Sequence, residues 1–368
     1  MNAGPWLWSP RRDLAVFGGA AVLALIVAAL GPSIAPTGDL PPWGFLVFVV
    51  ACDVAHVYST LFRTYMDGEE LVRRPALYFG VPVACFVAGV ALYAVGSDVF
   101  WRVLAYVALV HFVRQQVGWT AIYRARAGRR DRLERWVDDT AVYAATLYPV
   151  LEWHTRLPRE FAWFVQGDFL DLATLSPILP VARVIWGLSL TLYVVYGARV
   201  ARATRVLSLG KHVVVAGTAA TWYFGIVATN SDFAFTVSNV VVHGLPYMAL
   251  LYAYGRERAR ESPGILSARL LRGGLAAFAG LLLVIAFVEE LIWDQLVWQS
   301  HPSLFGAALL SEETIARLAK FIVPLLAVPQ ATHYVLDAVL WRRGDTGAAQ
   351  GRAMGFAGAH RDRAATTA

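Results

Sequence analysis

Four histidines of this chain lie within long apolar segments: His56, His111, His243 and His333. Ionisable side chains are costly in a bilayer core, so those found there usually face the interior of a helix bundle and serve a function. A single such histidine is typical of an interhelical hydrogen bond. Four of them, each with polar residues nearby, favour one shared site, and neutral imidazoles beside carboxylates are typical of metal binding. The four histidines are therefore predicted to be metal ligands.

Each histidine has polar neighbours at helical spacing. Asp53 comes three residues before His56, and Asp337 comes four residues after His333. Residues three or four apart lie on one helix face. Because a metal-bound histidine usually donates its second ring N–H to a carboxylate or carbonyl, Asp53 and Asp337 are predicted to be catalytic carboxylates beside the imidazoles, or further ligands. Of these two His–Asp pairs, His333 and Asp337 give the more specific prediction.

Two more polar residues follow His111 at the same spacing. Arg114 and Gln115 come three and four residues after it. They are predicted to bind a cofactor, with Arg114 meeting a propionate if that cofactor is a haem.

Composition indicates a membrane protein. Hydrophobic residues make up 58% of the chain and charged residues 16%, whereas an ordinary soluble domain is about a quarter charged. The net charge of +6 comes from arginines in short loops, which orient a membrane protein and are no sign of a nucleic-acid partner. Two cysteines, Cys52 and Cys85, are too few for a cysteine zinc site. We predict an all-α, polytopic bundle surrounded by membrane lipids.

About ten segments are candidates for membrane spans, since a span needs about 20 mostly apolar residues. They are residues 14–31, 43–66, 76–96, 99–122, 136–154, 181–203, 211–228, 233–254, 271–293 and 314–341. Residues 1–343 are thus predicted to form a single integral membrane domain. Residues 344–368, rich in Gly, Ala, Arg and Thr, are predicted to be a disordered cytoplasmic tail.

The loops alternate in charge. Arg11 and Arg12 precede the first segment, and six arginines between positions 124 and 135 follow the fourth. For a multi-pass protein of the bacterial inner (plasma) membrane, which we take as its location, the positive-inside rule places both termini in the cytoplasm. The segments that carry the four histidines all run in the same direction under this topology. Their histidines would lie in the middle to cytoplasmic half, at one site or at two levels.

Dispersed His and Asp on apolar helices, together with the segment His243-Gly244-Leu245-Pro246, resemble His-rich integral membrane non-haem iron oxygenases and desaturases. These include membrane carotenoid-cleaving dioxygenases of the bacteriorhodopsin-related-protein kind. The His-x-x-x-His and His-x-x-His-His boxes of desaturases are absent. The resemblance implies a membrane-embedded oxidoreductase with iron and a lipophilic small-molecule substrate, and it leaves open whether an electron donor takes part.

Two other functions fit the same residues. Histidines on facing helices can ligate a b-type haem, with His111 and His243 as one pair and His56 and His333 as another. A transporter would also carry polar groups near the bilayer midplane, although interrupted helices in symmetric positions are then expected. Walker loops, Gly-x-Ser-x-Gly elbows and His-Glu-x-x-His motifs are absent.

Overall fold

The computed structural model describes residues 2–341 and 348–356, which are almost entirely helical. Ten long helical segments coincide in order with the ten segments predicted from the sequence. They are α1 Pro10–Ala29, α2 Pro42–Arg63, α3 Pro75–Val95, α4 Ser97–Arg126, α5 Arg132–Thr155, α6 Ala173–Thr204, α7 209–228, α8 Asp232–Glu261, α9 Leu266–Trp298 and α10 Glu313–Leu340. Asn2–Ala3 pairs with Val206–Leu207 in a short parallel ladder. The all-α prediction is confirmed.

Seven of these helices are long and apolar enough to cross a membrane: all but α4, α5 and α7. Those three are joined at one end by buried ion pairs. Lys211 Nζ lies 2.8 Å from Glu134 and 2.9 Å from Asp138, and Arg124 lies 2.9 Å from Asp138. Each charge is therefore compensated inside the bundle, as buried charges must be.

The surface of the bundle is apolar over wide areas. Side chains such as Val83 on α3, Leu188 on α6 and Val284 on α9 are more than 60% exposed. Soluble monomers rarely expose large contiguous apolar patches. The exposed aliphatic side chains therefore fit a protein whose surroundings are hydrocarbon.

Helix α8 forms the centre, and its residues are the most thoroughly buried of the candidate spans. It packs against α1 and α2. The contact with α2 depends on Gly244, since a Cβ at that position would lie 2.4 Å from the backbone oxygen of Cys52. Over Phe45–Val54, α2 is π-helical, a feature frequent at functional sites. This close approach places His56 of α2 beside His243 of α8.

The chain end that was predicted to be disordered is described over residues 348–356. There Ala348–Ala353 is helical and packs against α8, which differs from the prediction. Arg63 donates a hydrogen bond to Gln350, and Gln350 donates to the carbonyl of Leu340. These contacts, with buried small alanines, hold the segment in place. The rest of the predicted tail, residues 344–347 and 357–368, lies outside the described residues.

We expect Gly244→Ala to destabilise the protein, because the new methyl group would force α8 away from Cys52. Overpacking of a well-packed contact costs about 1–3 kcal/mol. Thermal unfolding of the detergent-solubilised protein measures the change. Gly118→Ala on α4 is the matched control, since no atom lies within 4 Å of its added Cβ. Equal melting temperatures for the two variants would show that the α2–α8 contact is not tight.

Candidate metal centre

The four histidines meet inside the bundle. His56 lies on α2, His111 on α4, His243 on α8 and His333 on α10, and one ring nitrogen from each lies within 4.8 Å of the others. All four side chains are buried. The expectation that they converge is confirmed, and they form one cluster instead of two levels. We call these residues the four-histidine cluster.

The Nε2 atoms face one another. His56 and His243 are joined by a 3.1 Å contact between their Nε2 atoms, and His111 and His333 by one of 3.2 Å. In a tetrahedral site with metal–nitrogen bonds of about 2.0–2.1 Å, neighbouring ligand nitrogens lie about 3.3 Å apart. Two of the six nitrogen pairs thus have nearly the spacing of a tetrahedral site, and all four ligand nitrogens lie within 4.8 Å of one another. Binding through Nε2 leaves the ring proton of each neutral imidazole on Nδ1.

The outward nitrogen of His333 belongs to a chain of hydrogen bonds. Its Nδ1 lies 2.8 Å from Thr60 Oγ1, which lies 3.1 Å from the hydroxyl of Tyr247. Tyr247 donates to Asp337 at 2.5 Å, and Trp341 donates to the same carboxylate oxygen at 2.8 Å. Asp337 therefore reaches His333 through two hydroxyl groups. The chain favours the tautomer of His333 with its proton on Nδ1.

His56 and His243 have different surroundings. The Asp53 carboxylate lies 3.5 Å from His56 Nδ1, close enough for an electrostatic contact but long for a hydrogen bond. His243 Nδ1 is buried and has no hydrogen-bond partner within the described part of the chain. Its ring instead stacks on Phe112, with centroids 3.5 Å apart and planes within 8°. His243 is thus held by packing, whereas His56 has a carboxylate of its own helix nearby but no hydrogen bond from Nδ1 within the described residues.

The two residues predicted to bind a cofactor lie differently with respect to the cluster. Gln115 donates its side-chain amide to the backbone carbonyl of His243 at 2.9 Å, so it ties α4 to α8 at the site. Arg114 is exposed, and its guanidinium donates to the hydroxyl of Tyr143 on α5. Gln115 is placed to position a ligand, while Arg114 points away towards α5.

Two spaces reach the cluster from different directions. One of about 430 Å³, the apolar groove, lies between α2, α3 and α10 and is lined by Thr60, Leu61, Pro82, Val83, His333 and Leu336, among others. The other, of about 540 Å³, is the acidic cavity, lined by six carboxylates among its side chains: Asp39, Asp53, Glu160, Asp232, Glu289 and Glu290. The first reaches His333 and the second reaches Asp53 beside His56.

Some residues of the site carry little signal in the sequence. Thr60 and Tyr247 each lie four residues after a histidine, which places them on the same helix faces. That spacing does not show that they bond to each other and to His333 across three helices. Phe112 is one of 19 phenylalanines and lies next to His111 in sequence, yet it packs on His243. These contacts depend on which helices are neighbours.

Comparison with known proteins finds no family model, no curated protein and no solved structure that matches this chain.

We expect Thr60→Val to weaken metal binding while the fold persists, since it removes the hydrogen-bond partner of His333 Nδ1 and nearly conserves volume. Loss of such an outer partner typically costs about 10–100-fold in metal affinity. Titration of chelator-treated protein with Co²⁺ measures the effect.

Thr146→Val is the matched control for that titration. Thr146 is equally buried, and its hydroxyl donates only to backbone carbonyls of α5. Identical cobalt affinities for the two variants would show that the hydroxyl chain does not support the site.

Proposed function

We propose that the four-histidine cluster binds one transition-metal ion and that the protein is a membrane-embedded, metal-dependent oxidoreductase with iron as its metal. The observation that carries this proposal is the convergence of four buried ring nitrogens within 4.8 Å. Imidazole ligands suit iron, as well as zinc, copper and nickel. The resemblance of the dispersed His and Asp residues to membrane non-haem iron oxygenases favours iron among these. Bound there, iron supplies one-electron redox chemistry and a centre that activates dioxygen.

The apolar groove supports a lipophilic substrate. Its volume of about 430 Å³ is within the range of small-molecule sites. Phe79 and Val83, which line it, are 60% and 63% exposed on the apolar outside of α3. The groove therefore connects the hydrocarbon surroundings of the bundle with His333. A water-insoluble molecule would reach the cluster from the membrane without crossing water.

The two predicted carboxylates take separate roles in this proposal. Asp337 orients His333 through Tyr247 and Thr60. Asp53 lies between His56 and the acidic cavity, where a carboxylate can hold or pass a proton next to the site. Asp53 is thus the better candidate for proton transfer, and Asp337 for positioning.

The geometry favours a single ion over a haem. A porphyrin ring must lie between two axial imidazoles and needs open space around them. Here the ring centroids of the candidate axial pairs are only 5.0 Å apart for His111 and His243 and 4.9 Å apart for His56 and His333, and the two pairs lie side by side. Each pair therefore fills the space that a haem on the other pair would need.

A transporter is less well supported. On one side of the cluster, Tyr247 and Trp341 both donate hydrogen bonds to the same oxygen of Asp337. Tyr247 is fully buried among them. This arrangement favours an ion that stays bound, although uptake into proteoliposomes that requires His333 would support transport instead.

We expect His111→Ala to lose nearly all bound metal, because it removes one of four ligands and leaves an open position. Metal analysis of purified protein should give about one ion per chain for the wild type, as expected for one four-coordinate site.

His154→Ala is the matched control for metal content. His154 is another buried histidine, but it bonds to Tyr106 and to the carbonyl of Val150, away from the cluster. The metal-centre proposal is falsified if His111→Ala retains as much metal as His154→Ala.

We also propose that all ten long helices cross the membrane and that both termini are cytoplasmic, since the basic loops alternate with acidic ones. Reporter fusions at Gly128, after α4, should then read cytoplasmic, and fusions at Ser231, before α8, should read external. An external reading at Gly128 would reverse the orientation of the cluster.

A further inference from the structure

The acidic cavity opens at one end of the bundle and ends beside the four-histidine cluster. Asp39, Glu160 and Ser300 line its mouth and are exposed. Asp53 and Phe112 line its inner part, and these residues contact His56 and His243 respectively. The cavity thus extends from the surface to within one side chain of two of the histidines.

The charged side chains that line the cavity are acidic. Its lining includes six carboxylates, and no lysine or arginine of the described chain lines it. Clefts of a single charge sign with low-dielectric walls focus the electric field and raise the local concentration of oppositely charged solutes. A cavity of this kind attracts cations.

A buried polar group in the cavity lacks the partner that burial normally requires. The Oδ1 of Asn239 on α8, a residue that is 3% exposed, has no hydrogen-bond partner among the described residues. Buried polar groups are nearly always satisfied, so such an exception calls for an explanation. Glu290 on α9 also lines the cavity and is 8% exposed. Both groups offer oxygen atoms, which are ligands for hard divalent cations.

We propose that the acidic cavity is the path by which a divalent metal cation reaches the four-histidine cluster, with Glu290 and Asn239 as transient oxygen ligands on the way. This rests on the proposed metal centre. The volume of about 540 Å³ leaves room for a cation that keeps part of its water shell. Beside Asp53, the imidazole nitrogens of the cluster then replace the water and carboxylate oxygens bound to the cation, which completes the transfer.

Loading kinetics test the path separately from the site. Chelator-treated full-length protein in detergent is mixed with Co²⁺, and the rise of the visible cobalt–imidazole absorbance gives the loading rate. Excess chelator afterwards gives the release rate. We expect Glu290→Gln to slow both rates about tenfold, within the range by which a charged cleft changes association rates, and to leave final cobalt content unchanged. A residue that binds the cation only during its passage changes the loading and release rates by the same factor. The equilibrium between free and bound cobalt is therefore unchanged.

Asp98→Asn is the matched control, because Asp98 is an exposed carboxylate at the start of α4 that does not line the cavity. Wild-type loading and release in Glu290→Gln would overturn the path. Loss of final cobalt content in Glu290→Gln would also overturn it, since Glu290 would then belong to the site itself. Absence of cobalt binding by the wild type would overturn the metal centre, and the path with it. Melting temperatures confirm that the variants are folded.

Discussion

The structure depends on bringing four imidazole rings from four helices to one point inside an apolar bundle. A polar group buried without a hydrogen bond costs roughly 2–7 kcal/mol relative to water. The rings satisfy part of this need with two Nε2 contacts and with Thr60, but His243 Nδ1 has no partner in the described residues. Hydrogen bonds within the described residues therefore offset only part of the cost of burying the four rings. An ion that accepts the four Nε2 lone pairs would stabilise the side of the cluster where the rings face one another.

The rest of the bundle follows from this requirement. Helix α8 must approach α2 to within backbone contact, which only a glycine at position 244 permits. Helix α4 is tied to α8 by Gln115, and α10 is tied to α2 and α8 through Thr60 and Tyr247. Each of the four ligand-bearing helices is thus fixed to a neighbour within one turn of its histidine. The peripheral helices α3 and α6 carry apolar side chains outward.

Much of the fold can be predicted from the sequence, since runs of about 20 apolar residues have few alternatives to a helix in a membrane. The ten segments and the convergence of His56, His111, His243 and His333 follow from hydropathy and from the cost of burying polar groups. The hydrogen-bonding and packing partners of these histidines cannot be predicted in the same way. Asp337 is one turn from His333, yet it bonds to Tyr247 of another helix. Glu290 lies at the end of an apolar run, and nothing in its sequence position shows that it lines the same cavity as Asp53. Such contacts depend on lateral helix order, which periodicity does not encode.

Phe112 has a consequence for the flexibility of the site. Its ring lies parallel to that of His243 at 3.5 Å, while the rings of His56 and His111 stand nearly perpendicular to it at 4.6 and 5.0 Å. His243 cannot rotate about its side-chain bonds without displacing one of these three rings. Its rotational freedom is therefore lost when the chain folds. An incoming ligand meets a ring that is already immobile, so that little conformational entropy remains to be lost on binding.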